Sequence, residues 1–256
     1  MRYRSCVAAA LTALAILAPV PARAQDAQPA ATTPDHNRFA QFLKDVAGDY
    51  AYIASWETVK WYAAGAASAG LMHLADESLR QATEDPDAAV TQAFEAGGTG
   101  ATYGNLGIQL PIAIGWWAIG QAASDQRAVR AGRDLARAQI NTLTWTYALK
   151  YAVDRTRPNG DPRSFPSGHA SATFATAMVL QQHYGWKVGG PVFVLAGMTG
   201  ASRITVNKHW ASDVVFGAFV GMASGRTATR AERRHGVVVN PFVVPGGGGV
   251  MVIRSR

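Results

Sequence analysis

From about Phe39 onward apolar residues recur at helical spacing, with few β-branched runs. The pattern predicts helices near 39–47, 51–75, 87–96, 105–122, 126–153, 168–184, 188–202 and 209–229. The tail reads differently. Val237-Val238-Val239 and Phe242-Val243-Val244 precede Pro245-Gly246-Gly247-Gly248-Gly249, and Val250-Met251-Val252-Ile253 follows. Two β-rich runs around a Gly-rich turn predict a terminal hairpin, expected to pack on the helical body because a lone hairpin is marginal in water. Gly97-Gly98-Thr99-Gly100 is read as a connecting loop, since no Gly-Lys-Ser/Thr follows to make it a phosphate loop. The fold expected is an all-α helical bundle with a short C-terminal β-hairpin.

None of the apolar stretches reads as a spanning helix. The longest charge-free run, 96–124, contains the Gly loop, Asn105, Gln109 and Pro111, and a span needs about 20 predominantly apolar residues. At the start, Arg2 and Arg4 precede an apolar run from Val7 to Val20, and Ala22-Arg23-Ala24 has the small-x-small form of a cleavage site. Residues 1–24 are therefore expected to be a signal peptide, 25–38 a linker, 39–232 the helical domain and 233–256 a basic tail. A mature chain beginning near Gln25 would be periplasmic or secreted.

Cleavage alters the chemistry available. Cys6, the single cysteine, leaves with the leader, so neither disulfides nor a thiolate enter the argument. The formal charge falls from +7 to +4 as Arg2, Arg4 and Arg23 leave, and the last 31 residues carry six arginines against Glu232. Such a tail is either a solvated end or a contact for an anionic membrane surface. Nucleic acid is not an expected partner. No His, Asp or Glu cluster has metal-ligand spacing; His36 falls in the linker and His235 in the tail, and His73 and His183 lack matched partners. The seven tryptophans read as core, with Trp210, next to His209, the one placed to wall a pocket.

Three short clusters remain. Lys150 and Arg157, seven apart, would share a helix face, and Pro158 should end that helix near Arg157; two cations at a helix end make an anion site, although a solvated face with Lys150 paired to Asp154 fits the same spacing. Pro166-Ser167-Gly168-His169 precedes a helical run, where free backbone N–H groups suit a phosphate and Ser167 is equally an ordinary cap. His209 and Asp213, four apart, would stack on one helix face, so that the carboxylate could fix the imidazole tautomer. Arg203 adds a planar fork suited to two phosphate oxygens.

Taken together, Lys150–Arg157-Pro158, Pro166-Ser167-Gly168-His169 and Ser202-Arg203–His209–Asp213 resemble the three-part signature of the type 2 phosphatidic acid phosphatase and vanadium haloperoxidase superfamily, and within it the bacterial periplasmic acid phosphatases. The resemblance implies that Lys150, Arg157 and Arg203, helped by Ser167 and the Gly168 N–H, hold phosphoryl oxygens. It implies that His209 attacks phosphorus, that Asp213 orients it, and that His169 protonates the leaving oxygen and later activates water. No metal or other cofactor is implied, and the substrate is a lipid phosphate or a soluble phosphate ester. Two alternatives share the pocket: a vanadate-dependent haloperoxidase, and a phosphate-binding protein without turnover.

Overall fold

In the computed structural model, residues 35–83, 102–230, 238–244 and 247–253 are described. The leader, most of the linker, the 87–96 helix and the Gly97–Gly100 loop expected from sequence lie outside them. Eight helices of eight or more residues occur among the described residues: α1 (Asp35–Ile53), α2 (Trp56–His73), α3 (Asp76–Thr83), α4 (Leu106–Ala122), α5 (Gln126–Val153), α6 (Gly168–Tyr184), α7 (Trp186–Thr205) and α8 (Ala211–Ala228). Strands β1 (Val238–Val244) and β2 (Gly247–Ile253) pair antiparallel, from Val238 opposite Ile253 to Val244 opposite Gly247. The hairpin is thus as expected, but Gly247–Gly249 belong to β2 rather than to the turn. Its expected packing on the body concerns side chains outside those described.

Local chemistry sets most boundaries. Asp125 caps α5 by accepting from the N–H groups of Arg127 (2.9 Å) and Ala128 (3.2 Å), Asn105 caps α4, and Ser55 caps α2. The chain turns between α6 and α7 at Gly185, whose φ of 75° suits a residue without Cβ. The first helix begins at Asp35, inside the expected linker, and runs through Gly48-Asp49-Tyr50, where a break was expected. Asp49 is fully buried there, accepting from Arg137 (2.6 and 2.9 Å) and Arg230. Sequence patterning misses α3 because its eight residues, DESLRQAT, carry no sustained apolar stripe.

Small side chains let the bundle close tightly. Gly217, Gly221 and Gly225 lie one turn apart on α8, and a Cβ built on them would meet the Ser167 carbonyl oxygen at 2.6 Å, that of Ser171 at 2.1 Å and that of Ala175 at 2.9 Å. The ascending order on both helices makes α6 and α8 parallel, so their N-termini share one end of the molecule. Helix α5 runs the other way: Gln139 donates to the Ala172 carbonyl and to Thr176 on α6 (3.0 Å each), and Asp134 lies near the far end beside His183. Its C-terminus therefore arrives where α6 and α8 begin. Around this frame Leu135, Ala138, Ala175, Val179, Leu180, Val192 and Ala196 form the main apolar core, while Phe216 and Val220 of α8 pack with Ala69 of α2 in a second cluster. Among the described residues no helix is long and apolar enough to cross a membrane.

Candidate active site

Helix α5 brings Lys150 to this shared end and stops at Val153, with Asp154 in the left-handed region (φ 43°) as its C-cap. Sequence reasoning placed the helix end near Arg157 and Lys150 and Arg157 on one helix face; Arg157 instead stands in the loop that follows. Its backbone is held by Arg157 N–H to the Asp161 carbonyl (2.8 Å) and by Gly160 N–H to its own carbonyl (3.0 Å). Nor does Lys150 pair with Asp154. Its ammonium donates to the carbonyls of Arg163 (2.7 Å) and Ser164 (3.3 Å). Burial, then the Arg157 charge, push the Lys150 pKa down to about 8, opposed by Asp213.

Ser167 caps α6, its Oγ accepting from Ala170 N–H at 3.5 Å, and its own N–H donates to the Asp213 carbonyl at 3.0 Å. That bond ties the second cluster to the third. Gly168 and His169 are the first two residues of α6, half-buried. The turn before α4 lies over His169: a Cβ on Gly104 would stand 2.7 Å from the His169 Cβ.

His209 and Asp213 do not stack on a helix. Helix α8 starts at Ala211 with Trp210 as N-cap, so His209 precedes it and Asp213 is its third residue. The turn carrying His209 is anchored by its N–H on the Arg203 carbonyl (3.1 Å), with Asn207 in the left-handed region. His209 Nδ1 lies 3.8 Å from Asp213 Oδ2, inside ion-pair range and beyond hydrogen-bond reach, so in this conformation the carboxylate acts on the ring as a nearby charge. Burial, opposed by Asp213 and reinforced by Lys150 and Arg157, pushes the His209 pKa down to about 4. A neutral imidazole among cations keeps a lone pair free.

Asp213 is fully buried. Its Oδ2 accepts from Ser164 Oγ and from Trp210 N–H (2.9 Å), and its Oδ1 from Arg155 (2.8 Å). Burial alone would raise its pKa; contact with His209, the Ser164 bond, the Arg155 charge and the Trp210 N–H outweigh that and hold it below the usual value. Lys150, Arg157, Arg203, His209 and Asp213 thus form one cluster of mutually interacting groups. Burial, and then the Arg157 charge, lower the Arg203 pKa. The Nε atoms of Arg157 and Arg203 are buried without a hydrogen-bond partner among the described residues. Donors left open between mutually repelling cations suit a multiply charged anion. Among the described residues no group of three or more His, Cys, Asp or Glu is gathered to hold a metal ion.

Arg155, Ser164, Ser212 and Asp76 escape sequence reasoning because their partners are distant in the chain. For Asp76 the separation from Ser212 is 136 positions. Arg155 in Asp154-Arg155-Thr156-Arg157 reads as one more charge of a basic run. His73 and His183, read as lacking partners, each have a ring nitrogen 2.9 Å from a carboxylate, of Asp76 and Asp134 respectively. Trp210 is half-buried under the Arg155 guanidinium, and its indole N–H donates to the Thr156 carbonyl at 2.8 Å.

Comparison with known proteins reaches part of this cluster. The family model described as PAP2 superfamily matches residues 159–236, which leaves Lys150 and Arg157 just outside. Lipid A 1-phosphatase of Porphyromonas gingivalis is 44% identical over 84 residues, 30% of this chain and 18% of the relative. Lipid A 4'-phosphatase of Helicobacter pylori is 30% identical over 123 residues, 43% of this chain and 60% of the relative. The chain thus spans less than two thirds of either curated relative. Among solved structures, Aquifex aeolicus LpxE has a TM-score of 0.50 at 22% identity, covering 60% of this chain and 93% of that one. A transmembrane PAP2-type phosphatidylglycerolphosphate phosphatase from Bacillus subtilis has a TM-score of 0.53 at 17% identity, covering 78% and 96%. Both are likenesses of fold.

Proposed function

Because the chain belongs to the PAP2 superfamily, we propose that it is a phosphomonoester hydrolase that works through a phosphohistidine at His209 and acts on the phosphate of a lipid. One observation carries the reading: a buried, neutral His209 beside the carboxylate of Asp213, clustered with Lys150, Arg157 and Arg203. Capture of phosphate alone needs cations and has no use for an oriented, unprotonated imidazole.

In the first step His209 Nε2 forms a bond to phosphorus as the bond to the leaving oxygen breaks. His169 gives that oxygen its proton. In the second, His169 takes a proton from water, whose oxygen bonds to phosphorus as the bond to His209 breaks, releasing inorganic phosphate. Asp213, next to Nδ1, favours the tautomer protonated there and steadies the positive charge that the ring acquires. The three cations meet charge on the equatorial oxygens in both transition states, so the chemistry proceeds without a metal. A lipid substrate is favoured by the two relatives, whose names assign them to lipid A. The chain itself would be exported, by residues 1–24 acting as a cleaved leader, and 39–232 would be the catalytic domain.

The test is a side-by-side assay of a phosphorylated glycolipid in mixed micelles and a soluble aryl phosphate, in excess chelator. Wild-type enzyme is expected to release phosphate from both, with the larger kcat/KM for the lipid. His209→Ala should abolish both reactions. His169→Ala should lose the alkyl-type leaving group by about 10²–10⁴-fold more than the acidic phenol, and should trap acid-labile phosphate on the protein. Labelling that survives without His209, or activity that collapses in chelator and returns with a divalent ion, would overturn the mechanism; a better soluble substrate would overturn the lipid assignment.

A further inference from the structure

Behind the catalytic pair the bonds continue in a direction that phosphate chemistry alone does not call for. Arg155 presents one guanidinium nitrogen to Asp213 Oδ1 (2.8 Å) and Ser212 Oγ (2.8 Å), and the other to Asp76 Oδ2 (2.8 Å) and His73 Nδ1 (3.2 Å). Asp76, on α3, is 4% exposed and fixed in turn by α8: Oδ1 accepts from Ser212 N–H (2.9 Å), and Oδ2 from Ser212 Oγ (2.6 Å). One cation therefore bridges two buried carboxylates from separate elements. One of those carboxylates also serves the open N–H groups at the start of the helix that carries the other.

We propose that Arg155, clamped by Asp76, is a positioning residue for the hydrolysis: it acts through the Asp213 carboxylate, which it holds ionised and in place against His209. The inference rests on His209 being the nucleophile. Its physical basis is charge accounting. Asp213 faces Arg155 and Ser164 from the α5–α6 loop, His209 from the turn before α8, and Lys150 from α5; Asp76 of α3 and His73 of α2 stand beyond Arg155. Without Arg155, two buried carboxylates would share one end of α8 with only hydrogen bonds between them, and one would take up a proton. A protonated Asp213 can neither select the His209 tautomer nor balance the imidazole charge formed in the transition state.

Three variants separate this from a general loosening of the fold. In Arg155→Met, loss of the cation favours protonation of both Asp213 and His209. The acid limb of kcat/KM should therefore move upward by about one pH unit or more, with kcat down about 10–100-fold and KM within a few-fold. Arg155→Lys keeps the charge but reaches one carboxylate only; it should restore the acid limb while leaving kcat reduced. Asp76→Asn, nearly isosteric, should lower kcat without moving the limb upward. NMR titration of the His209 ring in wild type and Arg155→Met reads the same shift without turnover. An inactive wild type would remove the functional reading, whereas an active enzyme whose Arg155→Met and Asp76→Asn variants match wild type in kcat, acid limb and His209 titration would overturn this proposal. If Arg155→Met does not fold, an Asp76→Asn enzyme with wild-type kcat has the same force.

Discussion

His209 and Lys150 are one pocket's two answers to burial. Desolvation disfavours the charged form of both, but the imidazole starts near neutrality and ends well below it, while the amine starts high and stays mostly charged at pH 7. The pH dependence follows with its sign. As pH falls through about 4, His209 gains a proton and its lone pair is lost; as pH rises through about 8, Lys150 loses a proton and the pocket loses a charge. In the free enzyme kcat/KM should therefore fall on both sides of a plateau between those values, once the substrate's own second ionisation near pH ~6 has been corrected for. Lys150→Arg should carry the alkaline limb upward, since a guanidinium does not titrate there. An acid limb fixed near 6.5 for substrates of differing acidity would contradict a depressed His209.

At the scale of elements, the candidate site lies where two parallel helices begin side by side and an antiparallel one ends beside them. The glycine stripe of α8 sets that arrangement. At Gly221 an added methyl would stand 2.1 Å from the Ser171 carbonyl oxygen, a contact with backbone that no rotamer relieves. Gly221→Ala should cost about 1–3 kcal/mol, a loss of several degrees in Tm by thermal melting. Because the start of α6 would shift with it, kcat should fall at temperatures where the variant is still folded. Gly190→Ala, inside α7 where a Cβ meets nothing within 4 Å, is the control and should lower neither. Long elements were the legible ones: the predicted 126–153 and 168–184 coincide with α5 and α6. The failures are local in cause. Helix α8 starts at Ala211, two residues after the predicted start, with Trp210 as its cap, so His209 leaves the helix; and Asp154 in the left-handed region leaves Arg157 in the loop instead of on the helix face of Lys150.

For the whole molecule, Arg230 is the last described residue of the helical body. Its guanidinium lies on Asp49, already paired with Arg137, and so fastens the end of α8 to α1. Deleting residues 233–256 removes the hairpin and four arginines but spares this contact. Hydrolysis of a soluble monoester should be unchanged by the deletion, while binding to anionic vesicles should weaken by about 1 kcal/mol for each arginine that had lain near the surface. An insoluble or inactive truncated chain would make the tail part of the core.

Sequence alone determined the helical class and the terminal hairpin, and it singled out His209, Asp213, Lys150, Arg157, Arg203, Ser167, Gly168 and His169 as a candidate constellation. Periodicity is a local property, and the three clusters are short motifs with fixed internal spacing. Only the tertiary structure decided how those residues meet: a loop, not a helix face, delivers Arg157; His209 precedes its helix; and Arg155 joins Asp213 to Asp76. The last of these depends on groups 58 and 79 positions apart along the chain, and no spacing rule reaches across such a distance when the intervening backbone is free to turn. Buried polar groups must find partners wherever packing puts them, and packing is what a linear pattern does not contain.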